Sequence, residues 1–330
     1  MSAPARRAAV TAVAVLATTL LAVTPAQAEP EGGTKALRDA LAAASQGYQD
    51  ARTAIDNAKK REAELSEQVT ASQAKVADLT AAVGRLAAAQ YRGGSTAQLE
   101  VLLSSGSPDS FLESAATVRY LSERDGAQVS ALKAAQATLA RQRKDLDAAI
   151  IEQETQLKEL RKRQDEALKA LRSAGGGDPT LGFGDLPANA APAPRNPDGS
   201  LPSESCSVKD PTTSGCLTPR TLHAYEETKK AGFDHYVSCY RSMEDGGEHP
   251  RGRACDWAAA PNGFGGQASG ADKDYGNRLA AWYIANADRL GVLYVIWFRQ
   301  IWMPGTGWRS YFGSGDPSAE HTNHVHLSIR

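Results

Sequence analysis

Apolar and small residues recur at three- and four-residue intervals from about Leu37 to Ala89, a spacing that predicts a long helix with one covered stripe. One row runs Ile55, Ala58, Glu62, Leu65, Val69, Ser72, Val76, Leu79, Val83 and Leu86. A second row starts at Leu132, passes Gln136, Leu139, Arg143, Leu146 and Ile150, and ends at Ala167 and Leu171. This is a 3.5-residue repeat with charged residues outside it, which is the pattern of a coiled coil. Polar entries in the rows make it an imperfect one. The pattern breaks at Gly93-Gly94 and again at Gly106-Ser107-Pro108, both helix-stopping signals. Each arm has roughly 55–60 residues and would reach on the order of 80–90 Å at 1.5 Å per residue. Matched arms around a central break predict an antiparallel hairpin. Two parallel helices of a dimer are the alternative.

The helical period ends near residue 173. Residues 174–204 are rich in Gly, Pro, Ala and Asn, the composition of a flexible to semi-extended linker. Beyond it the pattern mixes periods. Thr218 reads as an N-cap, with Pro219 in the first turn and Gly232 as the stop of a helix. HYVSCY and RACDWA read as strands. ASGADKDYGNRLAAWYIANADRLG carries Leu279, Trp282, Tyr283, Ala287 and Leu290 at helical spacing. LYVIWF and RQIWM read as a strand pair, and VHLSI as a final strand. The expected fold class is therefore multidomain: a long α-helical coiled-coil hairpin followed by a small α+β domain with an antiparallel sheet.

Composition sharpens this division. Lys+Arg number 37 and Asp+Glu 38, so no charge excess points to nucleic acid. All six His, four Cys and five Trp fall after residue 200, which puts any chemistry in the last third. At the other end, Arg6-Arg7, an apolar run from Ala8 to Val23 and Ala26-Gln27-Ala28 form a secretory signal. The expected boundaries are 1–28 for the signal peptide, 29–173 for the coiled-coil stalk, 174–204 for the linker and 205–330 for the C-terminal domain. Export makes the protein secreted, extracellular or wall-associated, and permits disulfides. We pair Cys206 with Cys216 and Cys239 with Cys255, although spacing alone leaves three connectivities open.

The chemistry gathers at two places. On the final strand His324, His326 and Ser328 share one face, and Val325, Leu327 and Ile329 the other. The apolar face belongs to a core, which leaves the two imidazoles on the open side. The bland alternative is a pair of solvated histidines on an edge strand. The second place is GGEHPRGRACDWA. Asp256 shares its strand face with the small residues Ala254 and Ala258, and His249 precedes it by seven positions. His249, Asp256 and His326 together make a His-Asp-His set with a fourth position free, the composition of a catalytic zinc site. The competing readings are an ion pair of Asp256 with Arg251 or Arg253, and His249 as a plain loop residue.

Ser238-Cys-Tyr-Arg-Ser242, His249-Pro-Arg-Gly-Arg-Ala-Cys-Asp256 and His321-Thr-Asn-His-Val-His326 resemble the zinc peptidases of bacterial cell walls. These are VanY-like D-Ala-D-Ala carboxypeptidases with a hedgehog-like fold. The resemblance implies His249, Asp256 and His326 as zinc ligands, and Arg241 as the cation that meets a substrate carboxylate or the oxyanion. Two departures stand out. Gly247 replaces the family's Ser, and the Glu-x-x-Trp-His ending that carries the general base is absent, Glu320 lying six residues before His326. The ending here resembles instead the murein endopeptidase branch, which implies His324 as the base or transition-state stabiliser, with His321 second. Trp308, in its Gly-rich loop, is a candidate for stacking on a sugar.

The stalk tip carries Tyr91-Arg-Gly-Gly94, Leu99-Glu-Val-Leu-Leu-Ser-Ser105 and Asp109-Ser-Phe-Leu112. Over about 35 residues it resembles the coiled-coil segments of secreted Gram-positive cell-separation peptidoglycan hydrolases. That resemblance implies a membrane divisome protein as partner at residues 91–120, and a stalk that positions or restrains the enzyme. A short helical cap packed on itself is the simpler account of the same residues. The expected function is zinc-dependent hydrolysis of a peptide bond in peptidoglycan. The rival is a non-catalytic wall or protein-binding module with a vestigial metal site.

Overall fold

The computed structural model describes residues 34–93, 96–313 and 315–330; the expected signal peptide lies outside them. Helices α1 (Lys35–Gly93) and α3 (Pro108–Ser173) pack along each other as an antiparallel hairpin, with the short α2 (Ala97–Leu103) at its tip. α3 starts where the sequence stops α1 and α2: Ser107 caps it through a reciprocal bond pair with Ser110, and Pro108 occupies the first turn. Along α1 the observed seam is the row read from spacing, with Ile55, Ala58 and Val69 buried. On α3 the seam is displaced. Ala135, Leu139, Gln142, Leu146 and Ala149 turn inward, whereas Gln136 and Arg143 are exposed. Small alanines let the two helices approach closely, while Gln136 and Arg143 are turned into water.

The C-terminal unit begins with the small ribbon β1 (Val208–Lys209) and β2 (Cys216–Leu217), followed by α4 (Pro219–Lys230). The Thr218 hydroxyl accepts from the Thr221 N–H at the start of α4. The main sheet is built from β3 (Val237–Ser238), β4 (Ala254–Ala258), β5 (Val292–Trp297), β6 (Gln300–Met303), β7 (Gly307–Ser310) and β8 (His324–Ile329). Their order is β3-β4-β8-β5-β6-β7, every neighbouring pair antiparallel. The histidine strand β8 therefore lies inside the sheet, not at its edge. α5 (Gly270–Ala285) and the single turn α6 (Ala287–Leu290) precede β5.

One face of this sheet carries Trp257, Val325, Leu327 and Val295, which form a core with Leu279 and Tyr283 of α5 and Ala224 of α4. Cys239–Cys255 belongs to the same core and joins the end of β3 to β4, on the face opposite Asp256. Cys206–Cys216 closes the loop before α4.

The other face carries Asp256, His324, His326, Tyr294 and Ile296, and the hairpin base lies across it. Leu37, Leu41 and Ala44 of α1, with Ala167 and Leu171 of α3, are buried against Tyr294, Ile296, Ile301, Met303 and Tyr311. Polar contacts ring this apolar patch. The Gln49 amide donates to the Val292 carbonyl at 2.6 Å, the Ser45 hydroxyl to that of Leu293, and Gln164 to that of Gly305 at 3.1 Å. The sheet is thus the middle of three layers. The face expected to be open is covered, because a stripe of leucine and alanine at the foot of the stalk matches the apolar side chains beside the histidines.

Residues 174–204 run extended over the C-terminal unit. Pro179 bridges to Arg309, and the Ala190, Ala191 and Ala193 N–H groups donate to Asn286 Oδ1, Glu227 Oε2 and the Arg289 carbonyl. Phe183 meets Trp308 edge-on at 5.0 Å, and Gly182, at φ 68°, lies so close that a Cβ there would fall 2.1 Å from the indole. Trp308 is therefore occupied by the chain itself rather than offered to a sugar.

Candidate metal centre

β4 and β8 pair with Asp256 opposite His326, so the two side chains emerge side by side on the hairpin-facing side of the sheet. His249 comes from a 3-10 turn, His249–Arg251, that enters β4. Gly252 takes φ 67° there, and a Cβ would meet the Cys206 sulfur at 2.4 Å. Both the backbone angle and the close approach require glycine. The turn brings three donor atoms together: one each from His249, Asp256 and His326, all within 4.8 Å of one another. His249 Nε2 stands 3.1 Å from Asp256 Oδ2 and 3.3 Å from His326 Nδ1. His326 Nδ1 stands 2.8 Å from Asp256 Oδ1.

Hydrogen bonding around these rings prepares them as ligands. His249 Nδ1 lies against the Cys239 carbonyl, which only accepts, so that nitrogen carries a proton and Nε2 presents its lone pair to the cluster. His326 Nε2 meets the Ser328 hydroxyl at 2.8 Å, a partner able to donate or accept and therefore to serve either tautomer. Tyr294 stacks on the His326 ring with centroids 5.6 Å apart. Ligand atoms on a tetrahedral zinc, each about 2.1 Å from the ion, stand roughly 3.3 Å apart. The spacings of 3.1 and 3.3 Å come close to that value, and the 2.8 Å between His326 Nδ1 and Asp256 Oδ1 is shorter. The donors thus suit a divalent metal with two nitrogens and one oxygen.

The ion-pair alternative for Asp256 does not describe the structure. Arg251 and Arg253 both bind Glu248, at 3.1 and 2.6 Å. Arg241 approaches Asp256 to 3.9 Å and is held by Asp245 at 2.9 Å. Glu320 is tied to Arg299 at 3.0 Å. The site's acidity rests on one carboxylate among imidazoles. Burial by itself would raise the Asp256 pKa. It is outweighed by the neighbouring imidazoles of His249, His324 and His326, which hold the carboxyl well below its usual range.

His324 and His321 flank the cluster. His324 Nε2 lies 3.5 Å from Asp256 Oδ1, and the His321 ring centroid is 4.8 Å from that of His324. His321 has φ 52°, a strained value for a histidine, and among the described residues its buried Nδ1 has no hydrogen-bond partner. Burial, then the neighbouring His324 and His326, push its pKa well below the imidazole value. Burial also lowers His324, against the pull of Asp256, to about 4. Both rings are neutral at pH 7. All five groups of the cluster are at most 1% exposed.

The depressed His324 value has a consequence for the metal-free chain. Between pH 6.5 and about 4 the unfolded state takes up the proton that the folded state refuses. The contribution of neutral His324 is therefore complete above pH 6.5 and is lost as pH falls through about 4. It amounts to about 3 kcal/mol at 1.36 kcal/mol per pKa unit. Urea titrations of metal-free protein should show stability falling by that order between pH 7 and 4. An equal midpoint at both ends would contradict it.

The structure brings Arg241, His249, Asp256, His321, His324 and His326 to one locus; the cysteines lie behind and beside it, and Trp308 lies apart, against Phe183. Spacing did not reveal Tyr294, Asp245 or the Cys239 carbonyl as members of the site. Tyr294 lies in an unbroken apolar run, Asp245 in a loop, and a carbonyl leaves no mark on the sequence.

No curated protein and no solved structure matches the chain. Residues 213–322 are similar to the family model described as VldE, C-terminal domain, a stretch that includes Arg241, His249, Asp256 and His321 and stops just short of His324 and His326.

Proposed function

We propose that this chain is an exported, zinc-dependent hydrolase of peptide bonds in peptidoglycan, kept closed by its own stalk. The observation that carries the reading is the His249–Asp256–His326 set, with the outer nitrogen of each imidazole engaged by a hydrogen-bond partner. The resemblance of Ser238–Ser242, His249–Asp256 and His321–His326 to VanY-like and murein endopeptidase motifs supports zinc and a peptide substrate. Two disulfides support an oxidising, extracytoplasmic setting. No described helix is long and apolar enough to cross a membrane.

Bound at these three residues, zinc would act as a Lewis acid on the scissile carbonyl and bring the pKa of a water near neutrality. The remaining work falls to the chain. His324 Nε2 accepts the proton of the attacking water and returns it to the departing amine, at a position 3.5 Å from Asp256. Arg241, oriented by Asp245, meets negative charge on the substrate. His321, in contact with His324 and His326, offers a second donor to the developing oxyanion.

The docked hairpin supports a restrained state. α1 covers Tyr294 and Tyr311, which border His326 and His321, and Arg38 of α1 hydrogen-bonds the Asp245 carbonyl. At the far end, Leu99, Leu103, Phe111 and Leu112 are exposed. Such an uncovered apolar group supports a divisome membrane protein as the partner that draws the stalk away.

The test is zinc retention by the full-length chain together with digestion of purified peptidoglycan. The expected product is soluble muropeptides bearing new amino termini, with no new reducing sugar ends. Failure to retain zinc at micromolar free metal would remove the reading. Zinc retention without product, even in a chain whose hairpin is undocked, would transfer it to a binding module.

A further inference from the structure

We infer that Asn323 is a positioning residue that sets the tautomer and aim of His324. This rests on the hydrolase reading for its consequence in catalysis, but its structural content stands separately.

One group beside His324 has its hydrogen-bonding role fixed by its neighbours. Asn323 is buried, and its amide nitrogen lies 2.8 Å from the Gly265 carbonyl oxygen. A carbonyl only accepts, so the NH2 end of the amide must face Gly265. The same nitrogen lies 2.9 Å from the Ser318 hydroxyl, which takes its second hydrogen. Asn323 Oδ1 is thereby directed to the other side, where it lies 2.7 Å from His324 Nδ1. An amide oxygen only accepts as well, so Nδ1 of His324 must carry the proton. In a neutral imidazole this leaves Nε2 with its lone pair, the state a base requires.

That Nε2 lone pair points towards the carboxylate of Asp256 at 3.5 Å. Without a constraint, a neutral imidazole beside a carboxylate would place its proton on Nε2 and donate it to Oδ1. The ring would then have no lone pair facing the metal centre. Asn323 opposes this local preference. Its own position is anchored, because the Asn323 carbonyl accepts from the Ala259 N–H at 2.9 Å, at the end of β4. The edge of Phe264, with ring centroids 5.4 Å apart, confines the His324 ring from the side. The chain Gly265–Asn323–His324 thus transmits a donor–acceptor polarity from a loop carbonyl to the nitrogen that faces the reacting atoms.

The experiment uses the full-length chain with 15N-labelled histidine. Imidazole nitrogen shifts and their long-range proton couplings report the tautomer in metal-free protein at pH 7. Wild type should show His324 protonated on Nδ1. Asn323→Leu, close in size and without an acceptor, should move the proton to Nε2. Asn323→Asp keeps an oxygen at His324 and should restore Nδ1–H. Zinc affinity should be alike in all three chains, since Asn323 and His324 are not among the ligands. In chains also carrying Leu41→Asp to undock the hairpin, kcat on soluble cross-linked muropeptides should fall about 10–100-fold in Asn323→Leu, as for other hydrogen-bond partners of site imidazoles. KM should be unchanged, and Asn323→Asp should recover most of the loss. Wild-type His324 protonated on Nε2 overturns the inference, as does a Leu variant with unaltered tautomer. Should the Leu variant misfold, the wild-type and Asp tautomers still decide. If no chain hydrolyses muropeptide while the tautomers follow the expected order, the hydrolase reading falls and the positioning role remains.

Discussion

Under the proposed function, Asp256→Ala should abolish zinc binding and, with it, hydrolysis, the largest single-residue effect expected of the chain. Asp256 lies at the centre of the cluster. It faces His249 at 3.1 Å and His326 at 2.8 Å, and it is the only carboxylate of the metal-binding group. Its removal deletes a ligand and also the negative charge that favours a divalent cation over three neutral imidazoles. Loss of a hydrogen-bond partner outside the ligand set already costs 10–100-fold in such sites, so loss of a ligand should exceed about 100-fold in zinc affinity. Asp256→Asn separates the two contributions, since it keeps an oxygen at the same place without the charge. Competition against a chromogenic chelator measures the affinity, and muropeptide release measures the activity. Retention of tight zinc by the alanine variant would exclude the proposed centre.

The second large effect is a gain. Leu41→Asp should raise the activity of the zinc-loaded full-length chain, because Leu41 is 2% exposed within the apolar patch between hairpin and sheet. A carboxylate there would lie within an apolar patch, and burying a charge costs several kcal/mol unless it is fully paired and hydrogen-bonded. The docked state bears this cost and the undocked state escapes it. Every 1.4 kcal/mol shifts the open-to-closed ratio tenfold, so an increase on the order of 100-fold is expected until the open state predominates. The long helices should be unaffected, because the hairpin seam above Ala51 does not include this residue. Far-ultraviolet circular dichroism checks that point, and small-angle scattering should report a more extended chain. Unchanged activity in a variant that scattering shows to be undocked would sink the closed-stalk proposal while leaving the metal centre standing.

Much of the architecture can be read from spacing alone. The heptad rows and the Gly93-Gly94 and Gly106–Pro108 breaks specify a helical hairpin, since side-chain period and helix-stopping residues are local properties. The α4 cap at Thr218, the β5–β6 pair and the alternation in β8 are legible for the same reason. The displacement of the α3 seam from Gln136 to Ala135, and from Arg143 to Gln142, was not legible. Both registers satisfy the period, and packing between helices chooses the smaller side chains. The short β7 was also missed. Four residues rich in Gly and polar groups carry no alternation, and they become a strand only by pairing with β6.

For the site, the sequence by itself determined the inventory: two imidazoles on one strand face, a carboxylate flanked by alanines, and a histidine ahead of it in a glycine turn. These are consequences of two-residue alternation and backbone freedom, and they need no knowledge of the fold. Only the tertiary structure decided what surrounds them. It set β8 inside the sheet next to β4, so that Asp256 faces His326 across a single strand spacing. It aligned the carbonyls of Cys239 and Gly265 that assign imidazole protons, through bonds between residues distant in sequence. It also laid the foot of the stalk over the histidine face. An apolar stripe on a helix announces that it will be covered, but the partner that covers it is chosen by complementary shape and burial across more than 200 residues of chain, which no local pattern records.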